Sequence, residues 1–186
     1  AAILMEVETG EILAMSNLMR TSVGNYVESY NFAVGERTEP GSSIKLASLM
    51  IALEDGYIDL DDIVDTGNGE MKVFDIVIKD GKKGGFGKIT TKQVMEYSSN
   101  VGVAKIIQKY YGNKPKEFVE KLYRYHLNQP TGIDLLGEAI PYIKYPGDKL
   151  WSGVSLCQMS YGYELQLTPL QVLTFYNAIA NNGVMV

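Results

Sequence analysis

After Pro40-Gly41 the apolar residues take up a helical spacing. Leu46, Leu49, Met50 and Leu53 recur at i, i+3, i+4 and i+7, and Asp55-Gly56 supplies a stop. The intervening positions include Ala47, Ile51 and Ala52, so this helix is expected to be buried on most sides, with the rest of the chain organised around it. At its start stand Ser42 and Lys45, three residues apart and therefore one turn apart on one face. That spacing lets an amine reach a hydroxyl. A serine needs an adjacent base to become a nucleophile at neutral pH, and lysine serves once burial or neighbouring positive charge lowers its pKa. The helix start adds backbone N–H groups and partial positive charge, which suit a developing oxyanion. Alone, the pair is a weak signal. Ser-x-x-Lys arises by chance about once in 200 residues, and the same residues fit a serine N-cap followed by a solvated lysine.

Composition narrows the classes available. With 46% hydrophobic and 21% charged residues in 186, a packed core is expected, on the scale of one domain or a large piece of one. The net charge of -5, with no basic run, argues against a nucleic-acid-binding surface. No apolar run reaches the length of about 18 residues that spans a bilayer, and no signal peptide is present. The opening residues Ala1-Ala2-Ile3-Leu4 lack an initiator Met and already read as strand, so the chain is expected to come from a longer protein. One Cys and one His cannot build a Cys/His zinc site, and no cofactor or metal is called for. Cys157, in the mostly apolar stretch from Trp151, reads as a buried structural thiol. His126 reads as a surface or packing residue, which leaves no Ser-His-Asp arrangement.

Taken in order, residues 1–15 alternate around Glu8-Thr9-Gly10-Glu11 and read as a β-hairpin turning at Gly10. Ser16 to Glu39 is polar and reads as a long loop. Ile58 to Ile89 carries an acidic surface, short alternating pieces and a glycine-rich turn from Gly81 to Gly87 that lacks either phosphate-binding spacing. A short helix is expected from Thr90 to Tyr97. It is interrupted at Ser98-Ser99-Asn100 and followed by a helix to Gly112 and another from Pro115 to about Leu127. Residues 128–147 read as loop and 151–159 as helix or buried turn. Thr168-Pro169-Leu170-Gln171 is a capping box with Pro at the first helical position. The fold class expected is α+β, mostly helical.

Ser98-x-Asn100 adds a second hydroxyl and an amide 56 residues after Ser42, immediately before a helix. Such a pair can relay a proton and hydrogen-bond a substrate amide. Ser29-Tyr30-Asn31 matches the same pattern, and position separates the two. A Ser-x-Asn on a turn between helices, downstream of Ser-x-x-Lys, is the arrangement of penicillin-recognising enzymes, whose signature also includes Lys-Thr-Gly.

On these motifs the sequence resembles the transpeptidase domain of class B penicillin-binding proteins, especially the cell-division type. The resemblance includes the opening hairpin, Glu39-Pro40-Gly41-Ser42 and Tyr97-Ser98-Ser99-Asn100-Val101-Gly102. It continues through Thr131-Gly132-Ile133-Asp134, Gly137-Glu138, Tyr161-Gly162-Tyr163, Leu167-Thr168-Pro169-Leu170-Gln171 and Ala178-Ile179-Ala180-Asn181-Asn182-Gly183. It implies a penicillin-binding protein/serine β-lactamase-like fold, with residues 1–186 forming part of one transpeptidase domain. It also implies a peptidoglycan D,D-transpeptidase in which Ser42 attacks the penultimate D-alanine carbonyl of a stem peptide and Lys45 takes its proton. Ser98 would pass a proton towards the leaving amine, and Asn100 would bind the substrate amide and help position Lys45. Implied partners are D-Ala-D-Ala stem peptides, β-lactam antibiotics and cell-division proteins. The implied location is the extracytoplasmic face of the cell membrane, with the anchor upstream.

The sequence departs from the family at Ser43 and Ile44, where Thr and Phe are frequent. It contains no Lys-Thr-Gly or Lys-Ser-Gly. In the family that motif lies on a later sheet strand, so a truncated chain with an incomplete sheet and low or no activity is expected. The alternatives are a non-catalytic β-lactam sensor or scaffold, and a hydrolase of the carboxypeptidase or β-lactamase type.

Overall fold

A computed structural model describes residues 1–186. The chain opens with strands β1 (Ala2–Met5), β2 (Ile12–Ser16), β3 (Leu18–Arg20) and β4 (Tyr26–Glu28), then the one-turn helix α1 (Phe32–Gly35). A 3-10 turn at Gly41–Ile44 leads into α2 (Lys45–Glu54). Strands β5 (Ile63–Asp65), β6 (Glu70–Val73), β7 (Ile76–Lys79) and β8 (Lys88–Thr90) precede α3 (Thr91–Glu96), α4 (Asn100–Tyr111) and α5 (Pro115–Arg124). The remainder comprises β9 (Tyr142–Ile143), α6 (Ser155–Ser160), β10 (Leu165–Gln166) and α7 (Pro169–Ala180). The architecture is α+β, with its strands in small two-stranded sheets. No helix is long and apolar enough to cross a membrane.

The residues gather into two compact units, each assembled from separate stretches of chain. One contains Ala1–Glu39, Tyr123–Tyr142 and Gln166–Val186. Its hairpin pairs β1 with β2 in antiparallel register from Ala2↔Ser16, with an irregularity between Leu4 and Met5, and turns through Gly10 at a φ of 74°. Ile3, Met5, Ile12 and Met15 of this hairpin pack on Ala33, Val34 and Leu170. The expected capping box at the start of α7 is present: Gln171 N–H donates to Thr168 Oγ1 at 3.2 Å, and Thr168 N–H to Gln171 Oε1 at 2.8 Å.

The segment from Ser16 to Glu39, expected as a loop, holds the β3–β4 hairpin and α1 instead. All six strand residues are exposed, so no buried alternation marks them in the sequence. The buried Asn17 ties the segment together. Its Oδ1 accepts from Ala33 N–H at 2.9 Å, and its Nδ2 donates to Asn31 Oδ1 at 2.9 Å. Asn31 of the rival Ser-x-Asn is therefore engaged in that loop contact.

The second unit contains Pro40–Leu122 and Ile143–Leu165. Here α2 is buried on most sides, with Ile51, Ala47 and Ala52 fully inaccessible. A core of Val73, Ile78, Val101, Ala104, Cys157 and Tyr161 joins the β6–β7 hairpin to α4 and α6. Burying each larger aliphatic side chain in such a core contributes roughly 1.5–3 kcal/mol. The Cys157 thiol lies in this core, and burial pushes it up to about 11, as befits a structural residue. His126 lies exposed in the other unit, at a φ of 57°. The Gly81–Gly87 turn is tied down by bonds from Gly85 N–H to Lys82 O and from Gly87 N–H to Gly67 O.

Candidate active site

Every residue singled out for chemistry belongs to the second unit. Ser42 is exposed within the 3-10 turn, and Lys45 N–H donates to its carbonyl, so α2 begins only after the turn. Ser42 is not a side-chain cap: the residue in the N-cap position of α2 is Ile44, whose side chain makes no capping bond. Ser43 Oγ donates to Pro40 O at 2.8 Å and stiffens the turn from within. Against its outer side lies Gly162, with a φ of 102°, and Gly41 N–H donates to Gly162 O at 3.2 Å. A side chain at Gly162 would overlap the backbone of Gly41. Ser48 Oγ also donates to Ser160 O at 2.8 Å, so the 3-10 turn and α2 are each fastened to the C-terminal end of α6.

Lys45 is 1% exposed. Its Nζ donates to Ser98 O at 2.6 Å and to Ser98 Oγ at 2.9 Å. Burial pulls its pKa down to about 8, against the opposing charge of Asp80. A lysine so placed is an accessible base near neutral pH, unlike a solvated one. The structure thus brings Lys45 and Ser98 into hydrogen-bond contact 53 residues apart, and places Ser42 one turn ahead of Lys45.

Ser98 has a φ of 53°, a left-handed conformation that costs a non-glycine residue about 1–2 kcal/mol. Its neighbours on both sides hold it there. Upstream, Ser98 N–H donates to Met95 O at the end of α3, a helix that starts in a capping box made by Thr90 and Gln93. Downstream, Ser99 is the N-cap of α4, and its Oγ accepts from Gly102 N–H at 2.8 Å. Asn100 Nδ2 donates to Lys79 O at 2.8 Å, so the amide is anchored to the end of β7.

One residue escaped the sequence reading. Asp80, which follows β7, accepts from Ser99 Oγ at 2.9 and 3.1 Å and from Val101 N–H at 3.0 Å. Nothing in its local sequence marks it, because its partners lie 19 and 21 residues ahead. No group of three or more His, Cys, Asp or Glu side chains is placed to hold a metal ion. The arrangement combines an exposed hydroxyl, a buried amine of lowered pKa and a second hydroxyl bonded to that amine. Those are the parts needed to activate a serine and pass its proton on.

Comparison with known proteins identifies the family. The family model described as "Penicillin binding protein transpeptidase domain" matches residues 1–186. Peptidoglycan D,D-transpeptidase FtsI of Buchnera aphidicola is 32% identical over 98% of this chain and 32% of its own length. The chain therefore spans about a third of that relative. Among solved structures, the TP domain of penicillin-binding protein 3 from Burkholderia pseudomallei superposes with a TM-score of 0.81 at 29% identity, covering 98% of this chain and 50% of that one. Penicillin-binding protein 3 of Mycobacterium tuberculosis, complexed with aztreonam, gives a TM-score of 0.80 at 29% identity, covering 99% and 41%.

Proposed function

The chain belongs to the transpeptidase-domain family of penicillin-binding proteins, and from that membership we propose that it carries the nucleophile of a peptidoglycan D,D-transpeptidase. Ser42 Oγ attacks the penultimate D-alanine carbonyl of a stem peptide while Lys45 Nζ takes the hydroxyl proton. The C–N bond then breaks, and the terminal D-alanine leaves as an amine with a proton relayed through Ser98. An amine from a neighbouring stem attacks the ester carbonyl, forms the cross-linking amide and returns the proton to Ser42. Asn100 holds the substrate amide, and the Ser42 N–H is one oxyanion donor. β-Lactams acylate the same Ser42, and no cofactor takes part. We place the activity on the extracytoplasmic face of the membrane, in one transpeptidase domain that includes residues 1–186, serving cell division.

The observation that carries this reading is Lys45: inaccessible to solvent, bonded to Ser98 Oγ, and one helical turn after an exposed serine. These residues contain no Lys-Thr-Gly, so by themselves they are acylated slowly or not at all.

The test is labelling of the complete protein with a fluorescent penicillin. Labelling of the wild type and its loss in Ser42→Ala are expected. Because Lys45 must be neutral to accept the proton, acylation rises with pH and reaches half its maximum at a pH of about 8. Labelling that survives Ser42→Ala sinks the assignment. Labelling without cross-linking of a stem-peptide donor to an amine acceptor would instead indicate a sensor or scaffold.

A further inference from the structure

Resting on that reading, we propose that Asp80 is a positioning residue for serine acylation: its carboxylate, through Ser99 and Val101, fixes the turn that presents Ser98 to Lys45. Asp80 is itself well fixed. Its backbone N–H donates to Gly69 O at 2.9 Å, and the preceding carbonyl, that of Lys79, accepts from Asn100. From this footing its two oxygens receive the Ser99 hydroxyl and the Val101 N–H at the start of α4, a helix of 12 residues. The open N–H groups and dipole of a helix start favour a negative charge there. The cap of α4 is thus a two-part device, Ser99 from within and Asp80 from the end of β7.

The consequence falls on Ser98. Left-handed backbone at a serine persists only where its surroundings over-determine it. Asp80 holds the residues at one and three positions beyond Ser98, while Met95 O holds Ser98 N–H from the other side. With both flanks held, the Ser98 carbonyl and hydroxyl face Lys45 together. Released from Asp80, Ser98 can relax towards ordinary backbone angles and withdraw one of those oxygens.

Asp80 also acts on Lys45 through its charge, which favours the ammonium form against the effect of burial. Other charged groups on the surrounding elements are engaged elsewhere. Lys92 and Glu96 of α3 pair with each other, Lys105 of α4 donates to Asp65 O, and Lys109 lies over the Tyr110 ring. Cys157 of α6 and the adjacent Tyr161 are pushed up by burial, to about 11 and about 12, and remain uncharged. Replacing Asp80 with a neutral residue therefore lowers the Lys45 pKa further.

That sign separates positioning from a merely structural role. In the complete protein, the rate of Ser42 acylation by fluorescent penicillin is measured against pH for the wild type, Asp80→Asn and Asp80→Glu, with melting curves for each. Asp80→Asn keeps an acceptor of similar shape. It is expected to lower the maximal rate about tenfold and to move the acid limb to lower pH, while Asp80→Glu returns the limb towards the wild-type position. A wild-type rate and pH profile in Asp80→Asn overturns the proposal. So does a slower variant whose limb stays in place or moves to higher pH, the pattern of a loosened fold that lets water reach Lys45. If wild-type Ser42 is not labelled at all, the functional reading fails and this inference falls with it. A labelled wild type beside an unaffected Asp80→Asn sinks this inference alone.

Discussion

Two turns meet the helix that carries Lys45, and they are held by different forces. The Ser42 turn is held by close backbone approach: Gly41 lies directly against Gly162, joined by a backbone hydrogen bond, with no charged group in the contact. The Ser98 turn is held by polar bonds, with Asp80, Ser99, Asn100 and Lys45 each contributing at least one. Steric exclusion is insensitive to pH and fails abruptly when an atom is added. A hydrogen-bonded turn fails by degrees and responds to charge. Ser42 is thus held by a rigid contact, and the Ser98 turn that meets Lys45 by contacts that can be tuned.

The largest effect is expected from adding one carbon to the rigid contact. In Gly162→Ala the new methyl would overlap the Gly41 carbonyl, and the residue would have to adopt a φ that side chains rarely take. A loss of about 3 kcal/mol or more is expected, with penicillin labelling abolished. Thermal melting and labelling together check it, and a stable, labelled variant would show that the contact yields.

An intermediate effect is expected at the polar turn. Ser99→Ala removes the N-cap of α4 and one partner of Asp80 but leaves the Val101 bond. A loss of about 1–2 kcal/mol is expected, with labelling slowed and not lost. Chemical denaturation and the rate of penicillin acylation read the two parts separately. Complete loss of labelling would mean that this turn is as rigid as the other.

The smallest effect is expected just outside the comparison. Glu96→Ala breaks the exposed i,i+4 pair with Lys92, whose N–O distance is 3.8 Å, on the helix that leads to Ser98. A change below about 0.5 kcal/mol and an unaltered acylation rate are expected, because solvent screens such pairs. A clear change in rate would show that charge on α3 reaches Lys45, as that of Asp80 does.

Much of the frame is legible in the residues themselves. The Leu46-Leu49-Met50-Leu53 stripe, the hairpin turning at Gly10 and the Thr168–Gln171 capping box each depend on neighbours within one or two turns of chain. Their spacing therefore carries them. The β3–β4 hairpin and α1 depend on Asn17 reaching residues 14 and 16 positions away. Since both strands are exposed, no periodicity reports that contact.

The candidate site divides along the same line. The sequence by itself determined which residue types stand at 42, 45, 98 and 100, and that Ser42 and Lys45 stand three residues apart. Only the tertiary structure decided that Lys45 is stripped of water, that its amine meets Ser98, and that Asp80 stands behind the turn. The reason is physical: a pKa is set by lost hydration and by charges brought in from other elements. Those are properties of the packed chain and have no local spacing from which to be read.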